Sequence, residues 1–189
     1  PEYAEDDFHD DILDLKRIPI TANLFDFEFI ATDLTNNKSI NNRVSLELQP
    51  FSKTALEFSE VQFANSLKTS QEENTFSKSG VDIIPNVGNF FNKNQNILGF
   101  YAELYNANLA FEENEAFLID YAIYPENSTD VINNLRHFQR ANAASVVPIA
   151  QTFDIENLPS GNYKLILSCK NRLNEVLLSK EAKFQKSNP

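Results

Sequence analysis

Chemistry in a protein needs convergent polar groups, and the side chains best suited to it are few in this chain. There are two histidines, His9 and His137, and one cysteine, Cys169. A metal centre built on His and Cys needs three or four ligands close in space, and these three residues are scattered along the whole sequence. His9 sits in an acidic stretch and His137 in the polar run NLRHFQRAN at 134–142. No glycine-rich phosphate loop, G-x-S-x-G elbow or H-E-x-x-H motif occurs, so none of the common catalytic constellations can be assembled. The carboxylates of Glu5, Asp6, Asp7, Asp10, Asp11 and Asp14 are of the kind that calcium favours. They lack the D-x-[DN]-x-[DN]-G spacing and its loop-bending glycine, so a solvated acidic face is the better reading. No catalytic residue, metal site or cofactor site is expected, and an enzyme ranks last among the function classes.

The more suggestive residues are aromatic. In GFYAELYN (99–106), Phe100, Ala102 and Leu104 share one face of a strand, while Tyr101, Glu103 and Tyr105 share the other. In FLIDYAIY (117–124), Phe117, Ile119, Tyr121 and Ile123 oppose Leu118, Asp120, Ala122 and Tyr124. One set in each strand belongs to the core. The remaining set mixes tyrosine with carboxylates, a composition suited to recognition because tyrosine joins a large contact area to a polar tip. Tyr101, Glu103, Tyr105 and Tyr124 are therefore the candidate interaction face. The competing reading is that these tyrosines pack beneath loops or against a preceding domain. Cys169 falls on the same strand face as Tyr163 and Leu167, the position of a small buried hydrophobe.

Composition narrows the partners. At 189 residues the chain is long enough for one large core or two small ones. Its net charge of −11, from 27 acidic and 16 basic side chains, repels phosphate backbones and anionic lipid surfaces, so nucleic acid is not an expected partner. No apolar run approaches the roughly 20 residues of a membrane-spanning helix, and the first residues, PEYAEDDFHDD, are not a signal peptide. A single cysteine excludes an internal disulfide. Asparagine pairs at 36–37, 41–42 and 133–134 suit turns, because asparagine tolerates left-handed backbone.

The elements that carry these residues read as strands, and one pattern occurs twice. In GNYKLILSCKNRLNEVLLSKEAKF (161–184), Tyr163, Leu165, Leu167 and Cys169 alternate with polar neighbours, and a short Asn-containing loop leads into Val176, Leu178, Ala182 and Phe184. That is a β-hairpin. In LFDFEFIATDLTNNKSINNRVSL (24–46), Phe25, Phe27, Phe29 and Ala31 stand 138 positions earlier at the same offsets, followed by Ile40, Val44 and Leu46. Hairpins resemble one another, yet an ungapped offset points to a tandem repeat of one sandwich type. Residues 80–189 supply enough short strands for a complete immunoglobulin- or fibronectin-III-like β-sandwich. Residues 1–51 hold only the closing hairpin (24–48) of a partial first module, and a hairpin cannot stand alone. The missing strands belong either to a preceding part of the protein or to something outside residues 1–189. Residues 52–79 read as a connector. In it Leu56, Phe58, Val61 and Phe63 are too apolar for a free linker, and 65–80 is an exposed, mobile tip.

The order of three motifs, LEFSEVQFA (56–64), FSKSGVDIIPNVGNFFN (76–92) and LGFYAELYN (98–106), together with the close FDIENLPSGNYKLILSCKNRLNEVLLSKEAKFQKS (153–187), resembles the immunoglobulin-like middle region of the GWxTD-domain-containing proteins of Bacteroidetes. The resemblance covers roughly residues 20–188. It implies an exported, extracytoplasmic protein in which β-sandwich modules precede a further domain. The Gly-Trp-x-Thr-Asp motif itself is absent, and the chain contains no tryptophan, so nothing of that domain's activity carries over.

Two classes of function remain. One is a non-catalytic structural or protein-interaction module whose partners are other domains of the same protein or another cell-envelope protein. The other is a carbohydrate-binding sandwich that captures a glycan with exposed aromatics and Asn-rich loops.

Overall fold

The two matching stretches are both antiparallel hairpins, and their registers coincide. The computed structural model describes residues 13–20, 24–112 and 115–188, and the chain divides into a unit ending at Phe51 and a second spanning Ser52–Pro189. In the first unit, β1 (Leu24–Asp33) pairs with β2 (Lys38–Glu47) as a two-stranded sheet. Phe25 faces Leu46, Phe27 faces Val44 and Ala31 faces Ile40. Adding 138 to each number gives Tyr163 opposite Phe184, Leu165 opposite Ala182 and Cys169 opposite Leu178, and these are the observed pairs between β12 (Gly161–Lys170) and β13 (Val176–Lys186). The match ends at the turn, where the second hairpin shifts register after Cys169. Each turn holds one asparagine at positive φ, Asn37 at 56° and Asn174 at 64°, the conformation that asparagine tolerates better than other side-chain-bearing residues.

The second unit is almost entirely β and is built from two sheets. One has the order β11-β8-β4-β6-β5, with β3 added on β8 beyond β4. These are β3 (Glu57–Phe58), β4 (Gln62–Thr69), β5 (Ser77–Lys78), β6 (Val81–Pro85), β8 (Ile97–Tyr105) and β11 (Val146–Asp154). The other sheet has the order β10-β9-β12-β13-β7, with β7 (Phe90–Phe91), β9 (Ala116–Pro125) and β10 (Arg136–Asn142). Only β7 joins its neighbour in parallel. A single helical turn, α1 (Ala107–Ala110), follows β8.

The alternation in each strand decides what fills the space between the sheets. Phe100, Ala102 and Leu104 of β8 meet Phe117, Ile119, Tyr121 and Ile123 of β9 and Leu165, Leu167 and Cys169 of β12 in one buried cluster. Aromatic rings tie the sheets together: Phe63 of β4 lies edge-on to Phe184 of β13 at 5.4 Å, and Phe100 to Tyr121 at 5.5 Å. Gly99 is needed where β8 approaches β4, because a Cβ there would stand 3.1 Å from both the Ala64 carbonyl oxygen and the Leu67 side chain. The Tyr163 hydroxyl donates a 2.8 Å hydrogen bond to the Pro159 carbonyl and pins the turn that enters β12.

The stretch expected as a connector is part of the sandwich. Residues 52–79 contribute β3, β4 and β5, and β4 lies inside its sheet between β8 and β6. Phe58 and Phe63 are buried, with Leu56 and Val61 packed against them, as their apolar spacing predicts. The expected mobile tip at 65–80 is instead the rest of β4, a turn and β5. The turn is held by Ser77 Oγ donating to Asp82 (2.5 Å) and Asn74 Nδ2 donating to Asp82 (3.0 Å). The period-2 signal is lost there for a physical reason. The register shifts between Ala64 and Ser66, so Phe63 faces the core while Leu67 joins a small cluster with Tyr101 and Ile83 on the outer face.

Phe184 touches Phe63, Phe91 and Tyr163 at ring distances of 5.4, 5.8 and 5.6 Å. Phe184→Ala is therefore expected to cost about 3–5 kcal/mol, the usual range for emptying a buried phenylalanine site. Chemical denaturation of the variant and the parent checks this. A loss below about 1 kcal/mol would show that Phe184 does not join the two sheets.

Candidate functional site

The four residues expected to form one face occupy opposite sides of the sandwich. Phe100, Ala102 and Leu104 turn β8 toward the core, which puts Tyr101, Glu103 and Tyr105 on the outer surface of their sheet. Tyr124 alternates with the core residues Tyr121 and Ile123 of β9, so it lies on the outer surface of the other sheet. No single partner surface can use all four together. Tyr101 and Glu103 are also buried, at 2% and 5% exposure. The face that polar alternation marks as accessible is roofed by the β5–β6 hairpin and by Ser59, a cover that strand periodicity does not reveal.

Beneath that cover the carboxylate of Glu103 is a hub. It accepts from the Tyr101 hydroxyl at 2.6 Å, from Lys78 Nζ at 3.0 Å and from the Tyr105 hydroxyl. The Lys78 ammonium also lies 5.0 Å from the centre of the Tyr101 ring. The Tyr101 hydroxyl is 2.9 Å from Ser79 Oγ, and the backbone N–H of Glu103 donates to Ser59 Oγ at 2.9 Å. Burial alone pushes the Glu103 carboxyl up, and the donors from Tyr101, Tyr105 and Lys78 outweigh it, holding the group below its ordinary range. Burial, reinforced by Glu103, pushes the Tyr101 phenol up to about 12 and raises that of Tyr105 as well. At neutral pH this is one fixed carboxylate with neutral phenols around it. A saturated, permanently ionised acceptor has no proton to give, so the arrangement fastens β3 and the β5–β6 hairpin to β8.

The outer face of the second sheet is different in kind. There the Asp120 carboxylate takes both Nε (3.0 Å) and Nη2 (2.6 Å) of Arg136 and the Lys170 ammonium (2.7 Å). Burial again works against ionisation and the two cations overcome it, so Asp120 stays below the usual carboxylate range. The Arg136 guanidinium stacks 5.1 Å from the ring of Phe138, which is 55% exposed. The pairing registers place Arg136, Arg140, Lys164, Lys170 and Lys183 on this face, opposed by Asp120, Glu181 and, through its 2.9 Å ion pair with Lys183, Glu126. On a chain of net charge −11 this face is basic, and Tyr124, Leu118 and Ile166 lie among the charges. Pattern reading found Tyr124 and missed its neighbours, because Arg136 and Lys170 are 34 residues apart and come together only through β9.

The other candidates resolve simply. Cys169 is fully buried and burial pushes its thiol up to about 12, so it is not a nucleophile. His137 packs against Phe153 at 5.1 Å and Tyr121 at 6.0 Å. His9 and the carboxylates from Glu5 to Asp11 lie outside the described residues. Asp14 pairs with Lys16 at 3.0 Å. Among the described residues no group of three or more His, Cys, Asp and Glu side chains is placed to hold a metal ion, and no helix is long and apolar enough to cross a membrane.

No family model and no curated protein matches the sequence. Among solved structures the chain is similar to the extracellular domain of the putative one component system BT4673 from B. thetaiotaomicron. The TM-score is 0.31 and the identity 15%, over 85% of this chain and 20% of that one. The chain thus spans about a fifth of that protein's length.

The Glu103 hub predicts a pH response. Its pKa is lower in the folded state than in the unfolded chain, where it lies near 4.5. The associated stability is complete above pH 5 and is lost as acidification passes 4.5 and then the lower folded value. Glu103→Gln should reduce stability at pH 7 by about 1–3 kcal/mol and flatten the acid limb of a stability-against-pH curve. An acid limb as steep as the parent's would remove Glu103 from the account.

Proposed function

We propose that the chain is a non-catalytic, immunoglobulin-like β-sandwich region of an exported multidomain protein, acting as a structural and protein-interaction module. The observation that carries this reading is the shared register of β1–β2 and β12–β13. In the second unit the face bearing Tyr163, Leu165, Leu167 and Phe184 is buried against the facing sheet, with Leu165 and Leu167 fully covered. In the first unit the matching face bears Phe25, Phe27, Phe29, Val44 and Leu46, and Phe29 is 52% exposed. The opposite face of that hairpin is mostly polar, with Arg43 and Ser45 bonded to Asp26 and Asn41 to Glu28, and carries Leu24 and Ile30 as its two apolar side chains. One face is thus built for water and the other for a facing sheet. We assign that sheet to another domain of the same protein or to a second cell-envelope protein.

The Tyr163–Pro159 bond supports the immunoglobulin-like reading, since a tyrosine near the start of a late strand bonds back to the preceding turn in many such sandwiches. The resemblance of residues 20–188 to the GWxTD-domain-containing proteins supports an extracytoplasmic location. The basic face around Asp120, with exposed Phe138 and half-buried Tyr124, has the Arg and aromatic composition of a protein-binding surface.

A photo-crosslinking residue at Phe27 in the protein expressed in its own cells is expected to capture a β-sheet domain of the same polypeptide or of an envelope protein. The same residue at Glu28, on the polar face, should capture little. Equal labelling from both positions, or none from Phe27, would contradict the reading.

A further inference from the structure

A second surface, independent of the interaction reading above, has the features of a small-molecule site. Beside the start of β10, the turn at 131–135 and the turn at 155–159 enclose a cleft of about 490 Å³, inside the roughly 300–1,000 Å³ range of ligand pockets. Its polar rim is Asn133, Asn134, Asn157, Thr152, Asp154 and His137, and its floor includes Leu135 and Leu158, both buried. The side chains of Asn133, Asn134, Asn157 and Thr152 make no hydrogen bond to any described residue. Asp154 uses Oδ1 to accept the Glu156 N–H at 2.9 Å.

Both walls are fixed before any ligand arrives. The backbone N–H of Ile132 donates to Ile123 and that of Ile123 to Leu135, at 3.0 and 2.9 Å, which ties one turn to β9. The other turn is held by the Tyr163 hydroxyl on the Pro159 carbonyl and by Asn188 Nδ2 on the Leu158 carbonyl, at 2.8 and 2.6 Å. His137 is seated by its contacts with Phe153 and Tyr121. A rim held by core contacts loses little freedom on binding, which favours affinity.

The chemistry of the rim selects the ligand class. Three primary amides and a hydroxyl offer donors and acceptors side by side without charge, and the one carboxylate repels anions. A planar amide or carboxylate matches the spacing of two adjacent hydroxyl groups, and the apolar floor suits a face of C–H groups. We propose that this cleft binds a neutral saccharide, with the Asn133, Asn134 and Asn157 amides and Asp154 on its hydroxyls and the ring resting over Leu135 and Leu158.

Titration of the ¹⁵N-labelled protein with maltose, cellobiose and mannobiose tests this directly. At least one is expected to give saturable shifts of the Asn133, Asn134 and Asn157 side-chain amides. The double variant Asn133→Ala/Asn157→Ala, which spares Asn134 at its positive φ of 67°, should bind at least ~tenfold more weakly, a loss of one or more good polar contacts, with an unchanged melting temperature. Absence of shifts with all three sugars would overturn the proposal. So would shifts that persist in the double variant, or a response at this cleft to N-acetyl-trialanine amide or sodium sulfate but to none of the sugars.

Discussion

A β-sheet with one apolar face has to lay that face against a second apolar layer, and this requirement organises the chain more than any single contact. Strand alternation in β8, β9 and β12 produces two such faces in the second unit, and their closure buries Phe63, Phe100, Ile119, Leu165 and Leu167 almost completely. Burial of apolar surface at about 25 cal/mol per Å² makes that closure the dominant favourable term. The same requirement applies to β1–β2, where Phe25, Phe27, Phe29, Val44 and Leu46 form one face, four of whose five side chains (Phe27, Phe29, Val44 and Leu46) are exposed. A hairpin of this kind is marginal in water by itself.

Once the inner faces are committed, the outer faces are free to diversify, and they do so through buried ions. Glu103 and Asp120 occupy comparable positions on opposite outer surfaces. Each is nearly buried, each is ionised, and each is surrounded by donors from other strands. An unpaired carboxylate at such a position would be strongly destabilising, so the partners are obligatory. The result on one side is a closed strut beneath the β5–β6 hairpin. On the other, the cations outnumber the carboxylates and an exposed ring lies under Arg136. Similar chemistry thus yields a fastening on one sheet and a basic surface with an exposed ring on the other.

Much of this was legible in the sequence and some was not, for identifiable reasons. The hairpins 24–48 and 161–184 were readable because period-2 alternation is strong in both and the offset is ungapped. The all-β class and the core set of β8 and β9 followed from the same alternation. The strand β4 was hidden because a bulge after Ala64 moves Leu67 to the face opposite Phe63. Tyr101 and Glu103 were expected to be half-exposed, but periodicity gives the direction of a side chain and not what covers it. The Asp120 cluster needed the register of three strands, and the cleft beside His137 needed two turns brought together by the sandwich itself.

The central claim is that the apolar face of the β1–β2 hairpin is open to solvent among the described residues, whereas the matching face of β12–β13 is buried. Hydrogen–deuterium exchange of the isolated chain compares the two hairpins in one experiment. The account predicts that amides of β12–β13 exchange only through global opening of the second unit, while those of β1–β2 exchange orders of magnitude faster, close to the rate of an unprotected chain. Equal protection of the two hairpins would mean that the first already has its cover, and would contradict the account.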